Sequence, residues 1–164
     1  MTTIEQDPNA RFEKAMFNLL RSFNLIDHNV GSLIATIPGQ GSTEDLYKKL
    51  SRKSFDQKMK WLSLLLDESA LSEYIGEQGV SDLKAWYVSA HTARELRNRY
   101  VNSIWSFNPM HRGAPVEITS PPWMEKLLGD KRHEVMSLSE LEAQASMVEN
   151  SFNAFQKIRR KYRV

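Results

Sequence analysis

The densest cluster of polar side chains in the sequence falls within residues 91–105, a stretch with helical hydrophobic periodicity. Five of its members recur at steps of three or four residues and so share one face of a helix: His91, Arg94, Glu95, Asn98 and Asn102. Arg97 lies beside that face, one residue before Asn98. The cluster is a candidate functional site, but it also fits a polar patch between helices or a pairing of Glu95 with Arg99.

A long amphipathic helix is predicted from about Pro8 to Ile37. Its apolar residues form an unbroken heptad seam: Phe12, Met16, Leu19, Phe23, Ile26, Val30, Leu33 and Ile37. Pro8 suits a first helical position, and Pro38-Gly39 ends the run. A seam of this length either packs inside the chain's own bundle or pairs with a partner helix.

Capping signals predict the middle helices. Ser42 or Thr43 caps a short helix that ends near Leu50, and the capping box Ser54-Phe55-Asp56-Gln57 opens a third helix. A short helical piece is predicted over residues 69–78, ended by Gly79. Ser81 is then predicted to cap a long helix that reaches about Trp105 and carries the polar cluster.

The helical pattern stops between Asn108 and Glu134, where prolines and glycine interrupt it. Within this stretch Val116-Glu117-Ile118-Thr119 alternates as a short strand would. A second capping box, Ser137-Leu138-Ser139-Glu140, opens the last helix. The fold class is therefore predicted as mainly α: an antiparallel bundle of about four to five helices with an irregular or short β excursion before the last helix.

Length and composition favour one globular domain over residues 1–164, with 41% hydrophobic and 26% charged residues. The sequence has no cysteine, which excludes disulfides, thiolate zinc sites and cysteine nucleophiles. It has no apolar run long enough to span a bilayer, no signal-peptide core and no His/carboxylate pair with metal-site spacing. We expect a cytoplasmic protein without a metal or cofactor.

The net charge of +2 is unevenly distributed. Residues 94–112 and 157–163 together contain nine basic residues and one acidic residue. Such an asymmetry can attract a polyanion, of which nucleic acid is the commonest. For the C-terminal cluster alone, a basic helix end that complements the helix dipole is the favoured interpretation.

The segment Arg97-Asn98-Arg99-Tyr100-Val101-Asn102-Ser103-Ile104-Trp105 resembles the signature helix of the HEPN superfamily (higher eukaryotes and prokaryotes nucleotide-binding). That signature is Arg, often Asn, a few variable residues, and then His followed by a small residue. The order of the predicted elements is similar too: a long first helix, a helix opening at Ser54, the signature helix, an extended excursion and a last helix. The resemblance thus covers most of the chain in layout.

The resemblance implies metal-independent RNA cleavage in catalytic members, in which the His and the Arg act on the ribose 2′-hydroxyl and the phosphate. Here Asn102 stands where the family has that His, and an amide side chain cannot act as an acid or a base. Three interpretations stay open. The chain is a non-catalytic member, His91 or His111 supplies the imidazole, or Asn102 is a deliberate exchange that silences a toxic enzyme. His91 is about 16 Å from Asn102 along a helix, which is too far for a simple substitution.

The resulting prediction is an RNA-binding or RNase-type protein of prokaryotic defence (phage defence) or toxin–antitoxin character, impaired or inactive in catalysis because of Asn102. The predicted catalytic residues are Arg97, Asn98 and Asn102, and the predicted RNA-binding residues are Arg94, Arg99, His111 and Arg112. The resemblance implies a homodimer in which two signature helices line a basic cleft, and an antitoxin or other protein partner.

The alternative prediction is a non-catalytic interaction module whose first and last helices bind another helix through the apolar seams. Among the aromatic residues near the basic stretch, Tyr100 and Trp105 are predicted to be core. Trp123, which follows Pro121-Pro122, is the better candidate for a contact surface.

Overall fold

The computed structural model describes residues 7–122 and 133–164, which contain five helices and three strands. The helices are α1 (Pro8–Thr36), α2 (Thr43–Leu50), α3 (Phe55–Leu66), α4 (Ser69–Val101) and α5 (Leu138–Tyr162). The strands are β1 (Ile104–Phe107), β2 (Pro115–Thr119) and β3 (His133–Ser137). The predicted fold class, mainly α with a short β excursion before the last helix, is confirmed. Trp123 lies outside the described residues.

The described residues divide into two compact units. The first lies within Met1–Phe23 and His91–Asn150, and the second comprises Asn24–Ala90 and Ser151–Val164. Helices α1, α4 and α5 each contribute residues to both units. The single domain over residues 1–164 stays a prediction.

The heptad seam of α1 is buried within the chain itself. All eight seam residues are at most 8% exposed, and Leu19, Ile26, Val30 and Leu33 are fully buried. The long helix therefore covers its apolar stripe with the protein's own core. The seam of α1 is not an open surface for a partner helix.

Three of the four predicted caps form as expected, those at Ser42, Ser54 and Ser137. The Ser42 side chain accepts a hydrogen bond from the Asp45 amide at the start of α2, and Ser54 and Gln57 form the reciprocal capping box of α3. At the start of α5, the Ser137 amide donates to a Glu140 carboxylate oxygen over 2.6 Å, and the Glu140 amide donates to the Ser137 hydroxyl. These bonds satisfy amides that the first helical turn leaves unpaired.

The predicted break before the long fourth helix is displaced. We expected a helical piece ended by Gly79 and a new helix capped by Ser81, but both residues lie inside α4. The break is at Gly76, whose φ of 76° and ψ of 160° interrupt the helical backbone. Only glycine adopts that combination without strain, which is why the kink falls there.

The predicted end of the same helix is wrong by several residues. We expected helix to about Trp105, whereas α4 ends at Val101 and residues 104–107 form β1. Antiparallel pairing joins β1 to β2 and β2 to β3, with Trp105 opposite Ile118 and Val116 opposite Met136. Ile104 and Trp105 are a β-branched and an aromatic residue, both favoured in strands, and pairing with β2 overrides the helical period.

Aromatic side chains mark the cores of the two units. In the first unit Phe12 stacks on Phe107 at 4.6 Å between ring centroids. In the second unit Trp86 stacks on Phe155 at 4.1 Å, and its indole N–H donates to the backbone oxygen of Ser151. Tyr100 is buried as predicted, but the prediction that Trp105 is core is wrong: it is 43% exposed on β1, where the first three residues are all exposed.

Candidate functional site

The last turn of α4 carries the Arg97–Asn98 pair. The Arg97 guanidinium donates a hydrogen bond to the Asn98 side-chain oxygen over 2.9 Å. Its central carbon also lies 5.5 Å from the centroid of the Phe23 ring, within the range of a cation–π contact. Both side chains are half-buried. The guanidinium is therefore oriented by two neighbours, on a residue that is partly exposed.

Asn102 lies one turn further on, directly after the end of α4. Its backbone amide donates to the Asn98 carbonyl over 3.0 Å, so the helical bonding pattern runs one residue past Val101. The Asn102 side chain is exposed. Asn98 and Asn102 thus keep the spacing of one helical face predicted for them, with Asn102 at the helix end.

Arg99 is engaged inside the protein. It forms an ion pair with Glu134 at the start of β3. Pairing with a carboxylate offsets the positive charge that Arg99 would offer to a phosphate. Arg94, the other arginine predicted to flank the site, is half-buried on α4.

His111 and Arg112 are exposed in the connection between β1 and β2. The connection is closed by a hydrogen bond from the Ala114 amide to the His111 carbonyl, and by Gly113 with a φ of 90°. Strand β1 is four residues long, about 13 Å of extended chain, and it separates this connection from the end of α4. The structure does not bring His111 and Asn102 of one chain together.

A different imidazole lies at the end of the sheet where β1 begins. The register places Ile104 opposite Thr119 and Thr119 opposite His133, about 10 Å across two strand spacings. The Thr119 hydroxyl and His133 Nδ1 are 3.2 Å apart, and His133 is exposed. The sequence showed His133 only as an isolated residue, because strand pairing alone creates this placement.

Part of the C-terminal basic cluster serves the protein's own structure. Arg159 donates to Asn29 on α1 over 2.6 Å and to the backbone oxygen of Val164. Lys161 pairs with Asp82, which also accepts a hydrogen bond from the Tyr162 hydroxyl. The Tyr162 bond is the largest of the contributions that lower the pKa of Asp82 to about 2. These contacts fit the favoured interpretation of a basic helix end.

Residues 7–122 and 133–164 contain no group of three or more His, Asp or Glu side chains placed to hold a metal ion. None of the helices in that part of the chain is long and apolar enough to cross a bilayer.

Comparison with known proteins finds no matching protein-family model, no matching curated protein and no matching solved structure.

The chemistry open to this arrangement follows from its groups. Arg97 can hold a phosphate, and Asn98 and Asn102 can donate to or accept from a ribose or phosphate oxygen. Neither asparagine side chain can act as an acid or a base. The arrangement can therefore bind a phosphodiester, and it lacks a general acid or base of its own.

Proposed function

We propose that this protein binds RNA through the Arg97–Asn98 pair at the end of α4, and that Asn102 leaves it impaired or inactive as a ribonuclease. The observation that carries the proposal is the fixed guanidinium. Arg97 is oriented by its hydrogen bond to Asn98 and by the Phe23 ring, so little side-chain entropy is lost when it grips a phosphate.

The resemblance of residues 97–105 to the HEPN signature supports RNA as the source of the phosphate and a homodimer as the binding form. The same resemblance supports a cytoplasmic defence or toxin–antitoxin protein with an antitoxin or other protein partner. Asn98 and the exposed Asn102 would contact ribose or phosphate oxygens beside Arg97. Of the flanking groups, the exposed Arg112 would add charge beside the exposed His111, Arg94 lies half-buried on α4, and Arg99 is paired with Glu134.

The test is the affinity of Arg97→Ala for a fluorescein-labelled, unstructured RNA, measured by anisotropy in the presence of a chelator. Loss of a charge-assisted phosphate contact should weaken binding about 10- to 100-fold. Arg97→Lys keeps the charge but not the two-pronged geometry, so its affinity should fall between those of the two other proteins.

Arg21→Ala is the matched control, because Arg21 is an exposed arginine of α1 and its removal changes the net charge by the same amount. Circular dichroism should show that both alanine variants are folded. Equal affinities of Arg97→Ala and the unaltered protein would assign Arg97 a structural role and refute the proposal.

The alternative, a helix-mediated interaction module, loses its main support. It required apolar seams open to a partner, and the seam of α1 is buried in the chain's own core. On α5 the residues Leu141, Ala145, Val148 and Phe155 of the stripe are likewise buried.

A further inference from the structure

A second basic surface lies in the second compact unit, away from the residues of the proposed RNA site in the sequence. It lines an open cleft of about 580 Å³ formed by the end of α2, the connection 51–54 and the first half of α3. Its basic side chains are Lys48, Lys49, Arg52 and Lys53, and its other lining residues are Asp45, Gln57 and Trp61. We call this set the α2–α3 surface.

Most of these cations are not committed to carboxylates of the protein. Lys48 pairs with Glu44 on the preceding turn of α2. Lys49 and Arg52 are exposed, and among the residues that the structure describes neither forms an ion pair. The carboxylate of Asp45 accepts a hydrogen bond from the Ser42 hydroxyl at the start of α2.

The dipole of α2 does not explain the whole surface. Basic residues in a last helical turn complement the dipole, which accounts for Lys48 and Lys49. Arg52 and Lys53 lie beyond Leu50, the last residue of α2. The C-cap amide of Ser51 already donates to the carbonyls of α2. The dipole of α2 therefore accounts for Lys48 and Lys49 and leaves Arg52 and Lys53 outside that explanation.

An aromatic side chain lies among the cations. Trp61 is half-buried, and its indole N–H donates to the Gln40 side chain over 3.3 Å, which fixes the plane of the ring. The Lys53 ammonium lies 5.9 Å from the ring centroid. A flexible lysine can leave a ring face, so the face is available to a base.

The shape of the surface indicates an extended ligand. A second cleft of about 430 Å³ shares Lys53, Gln57 and Trp61 with the first and adds Lys60 and the 60% exposed Leu64. A single phosphate would occupy a small part of these two joined clefts. A polynucleotide strand offers a phosphate at every step and an aromatic base between phosphates, which is the pattern of cations and indole found here.

We infer that the α2–α3 surface binds single-stranded RNA, with phosphates on Lys49, Arg52 and Lys53 and a base stacked on Trp61. The inference rests on the proposed function for the class of ligand, and its residues are separate from Arg97 and Asn98. The sequence signal for this surface is Lys48-Lys49-Leu50-Ser51-Arg52-Lys53, which contains four basic residues in six. It lies outside residues 94–112 and 157–163, the two segments that together contain nine basic residues and one acidic residue.

The test measures the affinity of the full chain for a labelled oligouridylate of about 20 nucleotides over a range of salt concentrations. The variant Lys49→Gln/Arg52→Gln/Lys53→Gln should lower the magnitude of the slope of log K against log salt by about 2, since each lost contact with a single strand removes about 0.7. The matched control Lys157→Gln/Arg160→Gln/Arg163→Gln removes the same charge from the C-terminal cluster. An equal loss in the control would show diffuse attraction and overturn the inference.

Variants of Trp61 distinguish the contribution of base stacking to RNA affinity from that of charge. Trp61→Leu should weaken binding about 5- to 100-fold, whereas Trp61→Phe keeps an aromatic face and should retain most of the affinity. Circular dichroism checks that both variants are folded. Equal affinities of the Leu and Phe variants would overturn the stacked base, as would displacement of the RNA by inorganic triphosphate at the same phosphate concentration.

The variant Arg97→Ala in the same titration distinguishes the two sites. Weakened binding in the α2–α3 variant with unchanged binding in Arg97→Ala supports this surface and refutes the proposed site. The reverse result overturns this surface and leaves the proposed function standing.

Discussion

At the scale of single residues, Tyr100 shows how burial and hydrogen bonding act on one group. Its side chain is 1% exposed, and its hydroxyl donates to the Gln144 side-chain oxygen over 2.7 Å. Burial disfavours the charged phenolate and raises the pKa of Tyr100 to about 12. The neutral hydroxyl therefore stabilises the folded state below pH 10, and this contribution is lost between about pH 10 and 12.

We predict that Tyr100→Phe lowers the free energy of unfolding at pH 7 by about 1 kcal/mol through loss of the hydrogen bond. The difference in the free energy of unfolding between the variant and the unaltered protein should shrink as pH rises from about 10 to 12. In that range the unaltered protein loses the stability that depends on the neutral Tyr100 hydroxyl, and the phenylalanine variant has no such group to lose. Urea denaturation at several pH values measures it. A constant difference across that window would contradict the raised pKa.

Asn102 is the residue on which catalysis depends in the proposed function. A histidine at position 102 would add a group that exchanges protons near neutral pH, one turn beyond the Arg97–Asn98 pair. We predict that Asn102→His gains RNA cleavage in the presence of a chelator, by about 100-fold or more over the unaltered protein. Gel analysis of a labelled RNA measures the rate.

Asn102→Gln is the control for a change of side-chain size without a titratable group. The double variant Asn102→His/Arg97→Ala should be inactive, since the imidazole would then lack its phosphate anchor. RNA cleavage that survives in the double variant would show that the activity does not depend on Arg97. An inactive Asn102→His variant would be evidence against a HEPN-type cleavage mechanism at this site.

At the scale of elements, the kink in α4 depends on one glycine. Gly76 has a backbone conformation open essentially to glycine alone, although no neighbouring atom would touch a methyl group there. We predict that Gly76→Ala lowers the free energy of unfolding by about 1 to 3 kcal/mol through backbone strain. Thermal and urea denaturation provide the measurement.

Gly31→Ala is the control, because it is expected to raise the free energy of unfolding where Gly76→Ala lowers it. Gly31 lies inside α1, and a methyl group there would meet the Lys58 side chain at 3.9 Å, an ordinary contact. Higher helix propensity should stabilise the protein by about 0.5 to 1 kcal/mol. If both alanine variants were equally stabilised, the backbone at Gly76 would be helical in solution.

The α1 seam gives a prediction that opposes the alternative function. Phe23 is 4% exposed and lies under the Arg97 guanidinium. We predict that Phe23→Glu unfolds the protein or destabilises it by more than about 3 kcal/mol, because it buries a charge and removes an aromatic side chain. A folded Phe23→Glu variant with an altered oligomeric state, seen by light scattering, would restore the interaction module.

The elements that the sequence predicted are those defined by local signals. Periodicity defines α1, and side chains three residues apart define the caps at Ser54 and Ser137. Gly76 and Gly79 both could break a helix, and only the backbone conformation decides between them. The sequence predicts helix where β1 lies, because the pairing of β1 with β2 is a contact that local periodicity does not reveal.

The same distinction applies to the candidate site. The neighbours Arg97 and Asn98 could be assigned to one helix end from the sequence alone. The ion pair of Arg99 with Glu134 and the position of His133 depend on how β3 pairs with β2, so no spacing along the chain reveals them. The charge of residues 157–163 likewise does not reveal that Arg159 and Lys161 bind Asn29 and Asp82 of their own unit.

At the scale of the whole molecule, the net charge of +2 is too small to attract RNA strongly by itself. RNA affinity in a chain so close to neutrality has to come from clustered cations. We predict a slope of log K against log salt of about −2 or steeper for single-stranded RNA, corresponding to three or more phosphate contacts. Anisotropy titrations between about 50 and 300 mM salt measure it, and a slope near zero would contradict binding through phosphates.

The division of α5 between the two units has a consequence for synthesis on the ribosome. Residues 24–90 of the second unit are made early, but Trp86 finds its stacking partner Phe155 and its acceptor, the Ser151 carbonyl, only on the later part of α5. The Trp86 indole and the apolar face around it therefore lack these partners until residues 151–155 have been made. A ribosome stalled before codon 151 would display that face, and it would be a binding site for holdase chaperones until the last helix emerges.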